Sequence, residues 1–87
     1  MRVVNKHRER HTVYIGRGSI YGNPYYITFK RSREEAIELY EMYARGKPEL
    51  LEAIKRLPED AVLGCFCAPF PCHGDVIIKL WHELNGD

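Results

Sequence analysis

Eighty-seven residues, 45% of them hydrophobic and none in a low-complexity segment, describe one globular domain with a core just large enough to fold alone. No apolar run approaches the roughly 18–20 residues of a membrane span, which excludes a transmembrane helix. Net charge is only +1, yet residues 1–31 carry seven Lys/Arg against Glu9, while residues 32–87 carry six against eleven Asp/Glu.

That asymmetry allows a basic face for a phosphate-bearing ligand or for nucleic acid, the latter through Arg2, Lys6, Arg8, Arg10 and Arg17. The plainer alternative is a solvated basic arm over an acidic helical surface. Met1 to His7 lack the apolar core of a secretory signal, so the expected compartment is the cytoplasm. Thiols there stay reduced, and three cysteines cannot all pair within one chain.

In chain order, Arg2–Asn5 reads as a short strand and Lys6–Arg10 as a polar connection. Thr12–Ile15 is β-branched and aromatic, a second strand. It runs into Gly16–Pro24, where three glycines and an Asn-Pro step predict a loop with unusual backbone angles. Tyr25–Phe29 reads as a further short extended piece. Ser32 and Glu35 form a capping box, and Ala36, Ile37, Tyr40, Tyr43 and Ala44 share the buried face of the helix that Gly46 stops. Pro48 opens a second helix with Leu50, Leu51, Ile54 and Leu57 buried, ended by Pro58. Ala61–Phe66 is a third strand. Val76, Ile77, Leu80, Trp81 and Leu84 mark a last helix, Val76–Leu84, with Gly86 beyond it. His82 falls on the exposed or half-buried side of that helix.

The order β-β-α-α-β-α predicts a small single-domain α/β sandwich over residues 1–87: a short, mostly parallel sheet with about three helices. If the second and third strands are parallel neighbours, the loops that follow them share one edge, the edge where open α/β sheets bind ligands. The sequence sets no oligomeric state.

The second of those loops, Cys65–Asp75, holds all three cysteines, and its chemistry reads three ways. Cys65, Cys67, Cys72 and His73 are candidate zinc ligands, with His7 or His11 as an alternative source of the fourth ligand. Their spacing opposes this, because Cys72 and His73 are adjacent and familiar knuckles use C-x(2–4)-C. Alternatively, Cys72 at a helix N-terminus becomes a reactive thiol of lowered pKa beside His73, or the site takes an anion; Asp75 in the first turn works against both. The third reading makes Cys65 a small buried hydrophobe. A Cys67–Cys72 disulfide is conceivable, and a reducing compartment disfavours it. Cys72 and His73 are the candidate catalytic residues, with no reaction attached.

The first loop is neither a Walker loop, lacking G-K-[ST], nor a dinucleotide fingerprint, whose final spacing differs. Arg17 offers a planar fork for phosphate and Ser19 a hydroxyl, while Gly18 and Gly22 would let backbone amides approach a ligand. Tyr21, Tyr25 and Tyr26 flank the loop and could stack on a base. Tyr40, Tyr43 and Trp81 read as core.

Together V-Y-I-G-R-G-S-x-x-G-N-P (Val13 to Pro24) and G-C-x-C-x-P-x-P-C-H-G-D (Gly64 to Asp75) resemble a family of small phage and prokaryotic proteins, domain of unknown function 4326. The likeness covers roughly residues 3–84. It implies that Arg17, Gly18, Gly22, Asn23, Cys65, Cys67, Cys72, His73, Gly74 and Asp75 are signature positions, without roles. The expectation is a pocket between the two loops for a phosphate-bearing, nucleotide-like molecule, held by these positions with Ser19 and Tyr21.

Overall fold

A computed structural model describes residues 1–86. The chain forms β1 (Arg2–Asn5), β2 (Val13–Tyr14), α1 (Arg33–Arg45), α2 (Pro48–Lys55), β3 (Val62–Cys65) and α3 (His73–Leu84). It is an α/β fold with a three-stranded sheet in the order β1-β3-β2. Both pairings are parallel, with Val4 and Tyr14 each opposite Gly64. The central strand is therefore the last in sequence.

Successive side chains of β3 alternate between faces. Leu63 and Cys65 enter the core with Ile15, Tyr40, Leu50, Ile54, Ile77 and Leu80. Gly64 faces the other way, and the His11 ring fills the space a Cβ would need there. The three helices cover the Leu63 face. Trp81 Nε1 donates to the Leu57 carbonyl at 2.8 Å, tying α3 to the end of α2. Glu41 of α1 accepts from Lys79 of α3 at 3.0 Å and from Arg45 at 2.9 Å. Among the described residues no buried side-chain nitrogen or oxygen lacks a partner, as stable interiors require. No helix among them is long and apolar enough to cross a membrane.

Three local expectations need correction. Tyr25–Ile27 join no strand of the sheet, and Phe29 already lies in the turn closed by a single bridge between Thr28 and Arg31. Here Asn23 Oδ1 takes the Tyr25 amide at 2.9 Å and Thr28 Oγ1 the Lys30 amide at 3.1 Å. Such side-chain bonds compete with a strand ladder for the same amides. At α1, Ser32 Oγ accepts from the Glu35 amide at 3.1 Å, but the reciprocal half of the box is not formed. The complete box belongs to α3, which begins three residues before the expected Val76 because Cys72 caps it.

Candidate functional site

Because β2 and β3 run parallel, the loops leaving their C-terminal ends lie side by side. A cleft of about 400 Å³ opens between them. Gly16 and Arg17 form one wall, and Phe66, Cys67 and Pro71 the other. Arg33, Ala36 and Ile37 line it from the start of α1, and Asn23 and Tyr25–Ile27 from the end of the glycine loop and the segment after it. Cys65, Cys72 and His73 are almost wholly buried at its base.

The base is built by the α3 N-terminus. Cys72 Sγ accepts from the Gly74 amide at 3.3 Å, and Asp75 Oδ2 accepts from the Cys72 amide at 3.2 Å. A thiol and a carboxylate thus form a reciprocal capping box, the arrangement ordinarily made by Ser/Thr with Glu/Gln. Cys72 Sγ also lies 3.5 Å from Cys65 Sγ. Burial, and then the neighbouring Cys65, push the Cys72 thiol far above its ordinary range. This corrects the reactive-thiol expectation: a helix N-terminus lowers a thiol pKa only where the thiolate keeps some hydration. Cys72 is a protonated cap.

His73 is the first residue of α3, directly after that cap. Its Nε2 lies 2.6 Å from the Ile15 carbonyl, and its ring meets Tyr40 edge-on with centroids 4.9 Å apart. Burial lowers its pKa, so the ring is neutral at pH 7. A carbonyl only accepts, so Nε2 carries the proton and Nδ1 keeps its lone pair. Nδ1 has no hydrogen-bond partner among the described residues, and His73 is one of the residues that line the cleft.

The zinc expectation meets this geometry badly. His73 Nε2 is committed to Ile15, and the Asp75 carboxylate to the cap. Among the described residues no three of His, Cys, Asp and Glu gather as a ligand set. All three cysteines are free, which leaves the conceivable Cys67–Cys72 disulfide unformed.

Several glycine-loop residues turn inward rather than to the cleft. Tyr21 donates from its hydroxyl to the Ala53 carbonyl at 3.4 Å, and its own carbonyl accepts from Tyr40 at 2.8 Å. Ser19 Oγ donates to the Gly16 carbonyl at 2.7 Å. Gly18 has a φ of 89°, the left-handed region, and a Cβ on Gly22 would lie 2.8 Å from the Gly16 oxygen. These positions fold the loop on itself. Gly74 lets α3 sit close to the sheet, and Asp75 caps. From the expected site, Arg17, Asn23, Cys65, Cys67, Cys72 and His73 line the cleft. Tyr25 and Tyr26 line it too, as flanking rings. Sequence reading missed Arg33, whose Nη1 donates to the Pro71 carbonyl at 3.1 Å, and Phe66, which is 53% exposed. Arg33 follows the Ser32 cap directly, so the cap was the available signal.

The fold and site define a small parallel α/β domain with a ligand-sized cleft at the carboxyl ends of its strands. The chain belongs to the family described as Domain of unknown function (DUF4326), whose model matches residues 2–83. It is 40% identical over 89 aligned residues to an Enterobacteria phage T4 protein described as an uncharacterized 12.4 kDa protein in the nrdA-td intergenic region. That match covers 99% of this chain and 82% of the phage protein. No solved structure matches the chain.

Proposed function

We propose that the cleft binds a small molecule carrying both a phosphate and a planar ring, most simply a nucleotide. One observation carries this reading: two guanidinium groups, Arg17 and Arg33, and three aromatic rings, Tyr25, Tyr26 and Phe66, line the cleft, with no Asp or Glu among its lining residues. An uncompensated pair of guanidinium groups favours an anion, and Arg binds phosphate through a planar fork. The rings supply stacking faces. Nδ1 of His73 supplies an acceptor for a ligand N–H or O–H, and its neutrality at pH 7 suits it to that role. Arg17 lies 3.9 Å from the Tyr26 ring centroid, so charge and stacking face sit together.

Calorimetric titration with nucleoside phosphates, the parent nucleosides and inorganic phosphate tests this. Nucleotides should bind at least tenfold more tightly than nucleoside or phosphate alone, and Arg17→Ala should remove most of that advantage. Saturation by phosphate alone, with no gain from the base, would reduce the site to a simple anion pocket. No saturation by any of these at millimolar concentration ends the reading.

A further inference from the structure

The two loops and the segments beside them have a composition that a single nucleotide would not use. Six aromatic rings around the two loops each lie beneath a cation. Lys6 Nζ is 4.8 Å from both the Phe66 and Tyr14 centroids, and Arg33 is 5.3 Å from that of Phe70. On the other side Arg17 covers Tyr26, Arg31 is 5.3 Å from the Tyr25 centroid, and Lys30 is 5.6 Å from that of Phe29. Several of these rings face water: Phe29 is 96% exposed, Phe70 64% and Phe66 53%.

The five cations share a second property. The ion pairs of the described residues use Arg2, Arg45, Arg56 and Lys79. Lys6, Arg17, Lys30, Arg31 and Arg33 take part in none of them. Beyond Phe66 the charge continues, because His7, its ring tilted against Phe66 with centroids 5.2 Å apart, leads into the exposed Arg8 and Arg10. Alternating aromatic faces and unpaired cations are the chemistry of single-strand recognition: bases stack, and phosphates meet the cations between them.

We infer that this rim binds single-stranded nucleic acid, with the cleft accepting one nucleotide of the strand and the rim its neighbours. The inference rests on the nucleotide reading of the cleft and extends it from a free molecule to a residue within a polymer. A mononucleotide would leave Lys6, Lys30 and Phe29 without a role; a strand running past the cleft gives each one. The basic N-terminal segment then serves as the outer end of a track that includes the cleft. A duplex keeps its bases stacked on each other and offers these rings nothing.

Fluorescence anisotropy with labelled single-stranded DNA and RNA of about ten nucleotides, compared with the matching duplexes and with mononucleotides, tests this. Single strands should bind at least tenfold more tightly than mononucleotides and than duplex. With three or more phosphates engaged, affinity should fall about twentyfold between 50 and 200 mM salt. The double variant Lys6→Ala with Lys30→Ala should lose severalfold affinity for the strand and keep its affinity for the mononucleotide, since neither side chain lines the cleft. The DNA and RNA arms identify the sugar preferred. Mononucleotides bound as tightly as strands overturn this inference and leave the cleft reading intact. Preference for duplex, or affinity indifferent to salt, overturns it as well. No binding of either kind removes both.

Discussion

His73 Nε2 and the Ile15 carbonyl oxygen, 2.6 Å apart, join the two signature loops by one buried hydrogen bond. Ile15 ends the strand region that leads into the glycine loop, and His73 opens the helix that follows the cysteine loop. The bond therefore ties the cleft's two walls together and sets the imidazole tautomer at its base.

Stability should depend on pH through this ring. Burial holds the folded pKa of His73 below the ordinary 6.5. As pH falls the unfolded chain takes up the proton first, so this contribution is full above about 6.5 and declines as pH drops toward the folded value. Urea unfolding between pH 7.5 and 5.5 should show that decline, and His73→Gln should flatten it. Parallel profiles for the two proteins would assign the slope to other groups.

The three thiols should react in a fixed order. Cys67 is half-buried, whereas Cys65 and Cys72 are 2% and 4% exposed and Cys72 is held protonated. Iodoacetamide followed by peptide mass mapping should modify Cys67 first, with Cys65 and Cys72 protected until the chain unfolds. Early labelling of Cys72 would contradict the capped thiol described above. Cys72→Ser should largely preserve the cap, while Cys72→Ala should cost about 1–2 kcal/mol through its loss.

Gly74 should resist substitution for a reason of packing. A Cβ there would lie 2.7 Å from Val3 Cγ2 and 3.0 Å from Ile15 Cδ1. Overpacking costs about 1–3 kcal/mol, and the better helix propensity of alanine recovers up to about 1 kcal/mol of it. Gly74→Ala should therefore lower the thermal midpoint. An unchanged or raised midpoint would mean that α3 can shift away from β1 freely.

Tyr40 anchors the glycine loop from below, its hydroxyl donating to the Tyr21 carbonyl at 2.8 Å. Tyr40→Phe leaves that carbonyl unpaired and should cost about 1–3 kcal/mol by chemical denaturation. Because Tyr21 lies between Arg17 and Asn23, nucleotide affinity should weaken as well. A variant as stable as the parent would show that water replaces the hydroxyl.

Helix faces were legible in the sequence because their period is long enough to repeat: Tyr40, Ala44, Leu50, Ile54, Ile77 and Leu80 are buried as their spacing implies. The shared edge was legible as well, since β-branched and aromatic runs preceded both loops and β2 pairs with β3 in parallel. Inside the loops the reading failed where one residue type serves two purposes. Gly18, Gly22 and Gly74 carry the composition of a ligand cradle, yet their lack of Cβ serves the chain's own close approaches. Cys72 resembled a nucleophile because thiols rarely cap helices, and nothing along the chain measures burial. Arg33 escaped notice because a charge at the first turn of a surface helix is ordinary until its neighbours in space are known.

The position of β3 carries a consequence for how the protein comes into being. Both outer strands precede it in the chain and find their parallel partner only in Val62–Cys65. During synthesis the first fifteen residues must therefore wait, without a sheet to join, until β3 has left the ribosome. A nascent chain stopped before Val62 holds the segments of β1, β2, α1 and α2 but not the strand that joins the first two into a sheet.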